Sequence, residues 1–198
     1  MFTNWGYSVN LSEGAQKMPP LMTVAEFRAA TGGVMSSTDL QIGWALDAVS
    51  QVVRDYCGWH VAPVLSCSFT GDGEGRFLKL PAMNLQKINC LKINGRPVDA
   101  AAYQWAVEGL VRLSCGVFPH SWRSAYVEFT AGCPCAGALA AAVCQMASNA
   151  LAAAPGVQSE QAGQVRIEYN RTGNGVAGGV ALLDRERQML APYRISGV

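Results

Sequence analysis

Cys57-x-x-His60 and Cys133-x-Cys135 are where this chain comes nearest to a chemical site. Three thiols and an imidazole are the donor types of a tetrahedral zinc centre, so a small zinc-binding domain is one reading. Two features weigh against it. A one-residue gap is less usual than the two-residue gap of zinc knuckles, and Cys57 ends an amphipathic helix, where it serves as core. A disulfide between Cys133 and Cys135 would close only with strain. The seven cysteines are odd in number and scattered through predicted helices and strands, as expected of free, mostly buried thiols. Gly71-Asp72-Gly73-Glu74-Gly75 resembles a phosphate or calcium loop in composition only. No helix follows it to offer free N–H groups, and two carboxylates fall short of an EF-hand set, so it reads as a hairpin tip. His60 and His120 are the only histidines. Ser121 beside His120 does not make a dyad, and the chain has no Gly-x-Ser-x-Gly elbow. The residues therefore predict no catalytic group, no metal, no cofactor and no enzyme. Trp59 and His60 are expected instead to lock a helix exit, one as an amphipathic aromatic and the other as a satisfied polar ring.

The elements that would position these groups are well marked. Thr38 to Cys57 places Ile42, Ala45, Leu46, Val49, Val52, Val53 and Tyr56 on one helical face. Thr38 with Gln41 forms a capping box, Gly58 a left-handed stop, and Pro63 keeps the next segment extended. Thr23 with Glu26 caps a shorter helix over 23–31, with Met22 and Phe27 as its hydrophobic staple and Gly32 as its stop. From 64 to 130 the period becomes two. Five or six short strands are predicted there as an antiparallel meander, with turns at Gly71–Gly75, Asn94-Gly95 and Glu108-Gly109. An Ala-rich helix over 136–153 ends at Pro155-Gly156. A strand at QVRIEYN, a flexible glycine run from Thr172 to Gly179 and a last helix over 181–193 complete the chain. The fold class is α+β: a helical bundle body with an inserted β-meander. Residues 1–20 are expected to be an irregular arm, 21–198 a single domain, and 172–198 a C-terminal arm.

Composition narrows the function. Half of the residues are hydrophobic and only 15% are charged, against roughly 25% in soluble domains. Such a chain has little polar surface to cover a monomer, which points to burial against other chains. Net charge is +1, without the clustered Lys and Arg that tight nucleic-acid binding needs. A conduit that merely lets DNA pass needs no such stripe. The segment 136–154 is apolar through alanine and carries Gln145, Ser148 and Asn149, so no membrane span is expected. The first ten residues lack a basic and an apolar region, so no signal peptide is expected either. Cytosolic synthesis is the expectation.

The order of motifs resembles the head–tail connector (adaptor) proteins of tailed phages, in the long form found in prophages and gene transfer agents. The likeness rests on Asp47 through Pro63, with its YCGWHVAP exit carrying Tyr56, Gly58, Trp59, His60 and Pro63. It continues through Leu80-Pro81 leading into INCLKING, Tyr103, VEFTAG at 127–132, Gln158-Ser159-Glu160 and Leu190-x-x-Tyr193-Arg194. It spans roughly residues 21–196, and none of its motifs is catalytic. The resemblance implies a structural virion protein of the neck: a homo-oligomeric ring, commonly a dodecamer, beneath the portal. Such a ring extends the DNA channel and offers a platform to a stopper or tail-completion protein. By the same resemblance Leu183, Met189, Leu190, Tyr193 and Arg194 become candidate portal contacts. The shortest family members lack most of a 64–130 insert, which leaves its job open. A stopper or tail terminator is the nearest alternative, and the two long helices count against it.

Overall fold

A computed structural model describes residues 3–11, 15, 17–33, 36–152, 159–162, 165–168 and 182–195. The strands are β1 (Tyr7–Asn10), β2 (Leu65–Gly71), β3 (Phe77–Lys79), β4 (Leu85–Ile93), β5 (Arg96–Pro97), β6 (Tyr103–Trp105), β7 (Leu110–Leu113), β8 (Ala125–Ala131), β9 (Ser159–Ala162) and β10 (Val165–Glu168). The helices are α1 (Val24–Ala30), α2 (Asp39–Cys57), α3 (Gly137–Ala152) and α4 (Asp184–Leu190). The class is α+β. Strands carry too much of the chain for a helical body with a β insertion to describe it. The chain divides into two compact units, one formed by Met1–Met18, Gly58–Pro134 and Ile195–Val198, the other by Pro19–Cys57 and Cys135–Arg194. The glycine run from Thr172 to Gly179 and the Pro155-Gly156 stop lie outside the described residues.

The first unit is built on two antiparallel sheets. The larger has the order β1-β2-β8-β4-β5 and the smaller β3-β7-β6. Along β8, Ala125, Val127, Phe129 and Ala131 are buried while the residues between them stay half-exposed. That is the alternation a strand shows when one face forms a core. Antiparallel pairing was expected, but the meander was not the outcome, because β8 inserts between β2 and β4. The Gly71–Gly75 loop does not fold β2 back on itself; it carries the chain to the smaller sheet. Its glycines leave room for rings, since a Cβ on Gly73 would collide with Phe118 and one on Gly71 with Phe69. Asn94-Gly95 does make the expected hairpin. Ile93 pairs with Arg96, and both turn residues have positive φ, 48° and 76°, as a type I′ turn requires. Glu108-Gly109 likewise joins the paired β6 and β7. The N-terminal arm departs from its irregular reading: Tyr7 to Asn10 pair with Phe69 to Ser66 at the sheet edge. Four residues are too few for their period to show.

The second unit holds the four helices and the β9–β10 hairpin. Both capping boxes form. In α1 the Glu26 carboxylate accepts from the Thr23 N–H at 2.7 Å and the Thr23 hydroxyl from the Glu26 N–H at 3.2 Å. The Thr23 N–H and the Thr23 hydroxyl, both donating to that carboxylate, hold it below its ordinary range. In α2 the Gln41 amide oxygen accepts from the Thr38 N–H at 2.9 Å. The buried stripe of α2 runs through Ile42, Leu46, Val49, Val53 and Cys57, all fully buried. It packs on α3, whose inward residues Ala142 and Ala147 are small enough for close approach. Two polar residues interrupt the stripe. Ser50 donates to the Leu46 carbonyl at 2.6 Å and accepts the Leu21 N–H at 2.8 Å. Arg54 donates to the Pro19 carbonyl at 2.7 Å. Together they fasten the segment before α1 to α2. No helix among the described residues is long and apolar enough to cross a membrane.

Candidate assembly surfaces

The helix exit supplies the first constellation. Gly58 turns the chain out of α2 with φ 78°, and Trp59 and His60 follow, both fully buried. The His60 Nε2 lies 3.0 Å from the Ala131 carbonyl oxygen. A carbonyl only accepts, so Nε2 carries the proton. In the neutral ring Nδ1 is then an acceptor, and the Tyr7 hydroxyl donates to it at 2.7 Å. The same Tyr7 oxygen accepts the His60 backbone N–H at 2.9 Å. His60 is thus a satisfied polar ring, as expected, and its partner comes from the N-terminal arm. Pro63 is exposed, and Tyr56 belongs to the helical unit.

The C-terminal segment is docked within the helical unit. Glu186 accepts the Leu183 N–H at 2.9 Å and so caps α4 from within. Leu190 is fully buried, a core residue rather than an accessible contact. Tyr56 donates to the Arg187 carbonyl at 3.3 Å, and the Arg194 guanidinium sits 5.4 Å over the Tyr56 ring. Tyr193 is half-buried and Arg194 exposed. Leu183 and Met189 border a groove of about 260 Å³ with Ala141, Gln145, Asn149, Arg185 and Glu186. Burial pushes the Glu186 carboxyl above its ordinary range, against the opposing pull of the Leu183 N–H and Arg185.

Several large apolar side chains face solvent. On α2, Leu40 and Trp44 are 64% and 66% exposed, one turn apart on the face opposite the buried stripe. On the smaller sheet Phe77 and Leu110 stand on the outer face, with Arg112 5.9 Å over the Phe77 ring. Trp122, in the loop between β7 and β8, is 77% exposed. That loop is held tightly. Phe118 is fully buried, and its N–H donates to Gly75 at 2.7 Å. The Arg123 N–H donates to the Asp72 carboxylate, and the Asn94 N–H donates to Ser124 at 2.8 Å. Trp44 and Trp122 thus stand apart from the fully buried Trp59.

The chemically suggestive residues are not brought together as a centre. Among the described residues, no group of three or more His, Cys, Asp and Glu side chains is placed to hold a metal ion. The seven cysteines are free thiols. Burial pushes the Cys135 thiol up to about 11 and raises Cys133 and Cys67 as well, which disfavours the thiolate that ligates a metal. His120 and Ser121 are exposed, and Ser121 donates to Asn94 at 3.4 Å.

The chain is thus an α+β protein of two units with large apolar side chains turned outward. No protein-family model and no curated protein sequence matches it. Solved structures do. A chain from the neck of an empty gene transfer agent (GTA) particle, computed with C6 symmetry, is similar at TM-score 0.63 and 15% identity, over 97% of this chain and 96% of that one. A chain from the neck of the native GTA particle, computed with C12 symmetry, matches at 0.62 and 14% over the same shares. A chain from the virion of the native GTA particle matches at 0.61 and 16%. The chain shares its fold with these neck and virion components from end to end.

Proposed function

We propose that this protein is a structural neck component of a tailed particle, a head–tail connector that works as a ring of copies. The observation that carries this reading is the fold likeness over 97% of the chain to components of necks solved with C6 and C12 symmetry. The low charge and the exposed Leu40, Trp44 and Trp122 support it, since a ring component must reserve apolar surface for neighbours. In this role the ring lies beneath the portal, extends the DNA channel and receives a stopper or tail-completion protein. Weak contacts repeated around a ring multiply by avidity, which suits a joint bearing packed DNA. The chain acts by geometry and carries no bond-making chemistry. Of the candidate portal contacts, Leu183, Met189 and Tyr193 are half-buried and Arg194 exposed, which leaves these four able to touch a portal; Leu190 serves the core. Electron microscopy of particles carrying a labelled copy of the chain tests the proposal. The label is expected as a ring between head and tail, and a label elsewhere on the particle overturns it.

A further inference from the structure

The structure holds a projecting indole and a side-chain-sized groove on different parts of the chain. We infer that Trp122 of one copy inserts into the α3–α4 groove of the next, as a contact that closes the ring. The inference rests on the ring reading above and adds which surfaces meet.

Trp122 is the most exposed of the large apolar side chains among the described residues, at 77%, yet its loop is not loose. Phe118 is sunk where Gly73 has no Cβ, Asp72 accepts the Arg123 N–H, and Arg123 itself holds a left-handed φ of 50°. The Arg123–Ser124 segment next to Trp122 is hydrogen-bonded to two others, at Asp72 and at Asn94. The entropy of ordering that loop is already spent, which favours binding through its tip. An indole is also the side chain that most often carries binding energy at interfaces.

The groove fits such a guest. At about 260 Å³ it falls below the roughly 300–1,000 Å³ typical of small-molecule pockets, which suits one large side chain. Ala141, Leu183 and the adaptable Met189 form its apolar side, and Gln145, Asn149, Arg185 and Glu186 its polar side. Gln145 donates to Asn149 at 3.0 Å, so its amide oxygen remains to accept the indole N–H. Arg185, exposed at the rim, can lie over the ring face. Knob and groove are different surfaces, so the contact is head-to-tail. Such contacts can close into cycles of many copies, whereas a patch meeting itself gives a pair. The C6 and C12 symmetry of the similar necks calls for the former.

Sedimentation of the full chain across concentrations, for Trp122→Ala, Met189→Ala and the double variant, tests the pairing. Trp122 is exposed, so its replacement is expected to leave thermal unfolding unchanged; a melt on each variant checks this. Each single change is expected to weaken self-association roughly tenfold or more. The double variant is expected to do little worse than the poorer single one, because both remove the same contact. Association by wild type and by Trp122→Ala in equal measure, or losses that simply add, overturns the contact and leaves the ring standing. A wild-type chain that stays monomeric at every concentration, in particles whose necks hold no ring of it, removes both.

Discussion

Ser50 shows what a single hydroxyl can do inside a buried stripe. It both donates and accepts, and the Leu21 N–H it satisfies is sealed from water with a 5% exposed residue. Ser50→Ala leaves that N–H without an acceptor. The expected loss is about 1–3 kcal/mol of unfolding free energy, read from urea titration against wild type. Tyr7→Phe is a parallel case in the other unit. It strips His60 Nδ1 of its donor and the His60 N–H of its acceptor, with a further loss of about 1–3 kcal/mol expected. A variant that unfolds at the wild-type midpoint would mean water replaces the hydroxyl there. The sequence made His60 legible as a satisfied ring, because an imidazole between Trp59 and Val61 at a helix exit must be buried and must find partners. It could not identify Tyr7, which lies 53 residues away in a strand too short to carry a period. Arg54 was similarly hidden: an arginine beside a buried stripe looks like a residue that reaches for solvent.

At the level of elements, local signals translated well and long-range ones did not. The α1 and α2 termini sit where their capping boxes lie, since each box spans three residues and needs nothing else. Asn94-Gly95 fixed its hairpin for the same reason. Sheet order depends on which strands meet across long separations, and neither alternation nor turn composition encodes that. The Gly71–Gly75 loop therefore had the look of a hairpin and turned out to be a crossover packed on Phe118. The start of α4 supports a pH-dependent expectation. Burial makes the folded chain hold the Glu186 proton more tightly than the unfolded chain does. The associated stability is complete below the ordinary carboxyl range and is lost as pH rises through the raised value. Glu186→Gln keeps an oxygen for the Leu183 N–H and has no proton to lose. It is expected to be more stable than wild type at pH 7, with the difference narrowing towards pH 4, as followed by chemical denaturation. A gap that widens on acidification would reverse the assignment.

For the whole molecule, the order of motifs carried the resemblance and the low charge pointed to apolar surface turned outward. With 15% charged residues, exposed apolar side chains were to be expected, but composition could not say where. Leu40 and Trp44 fall on the outer stripe of α2 and Trp122 on a braced loop. The period of α2 could have located the first pair, since both lie opposite the core positions. Trp122 could not be located, because a loop has no period. The resemblance pointed to neck proteins, and the likeness to neck and virion chains over 97% of the chain agrees with it.

The route of the chain has one more consequence. The backbone passes from one unit to the other after Met18, after Cys57, after Pro134 and again after Arg194. Neither unit is therefore a contiguous stretch that could be excised and produced alone. A protease nick at any one of these passages leaves covalent tethers at the others. Under native conditions a once-cut chain is expected to run on a sizing column as an intact molecule, and to fall into two fragments only in denaturant. Mechanical load carried through such a polypeptide is shared by parallel strands of backbone, as in a stitched seam where one broken thread does not open the cloth.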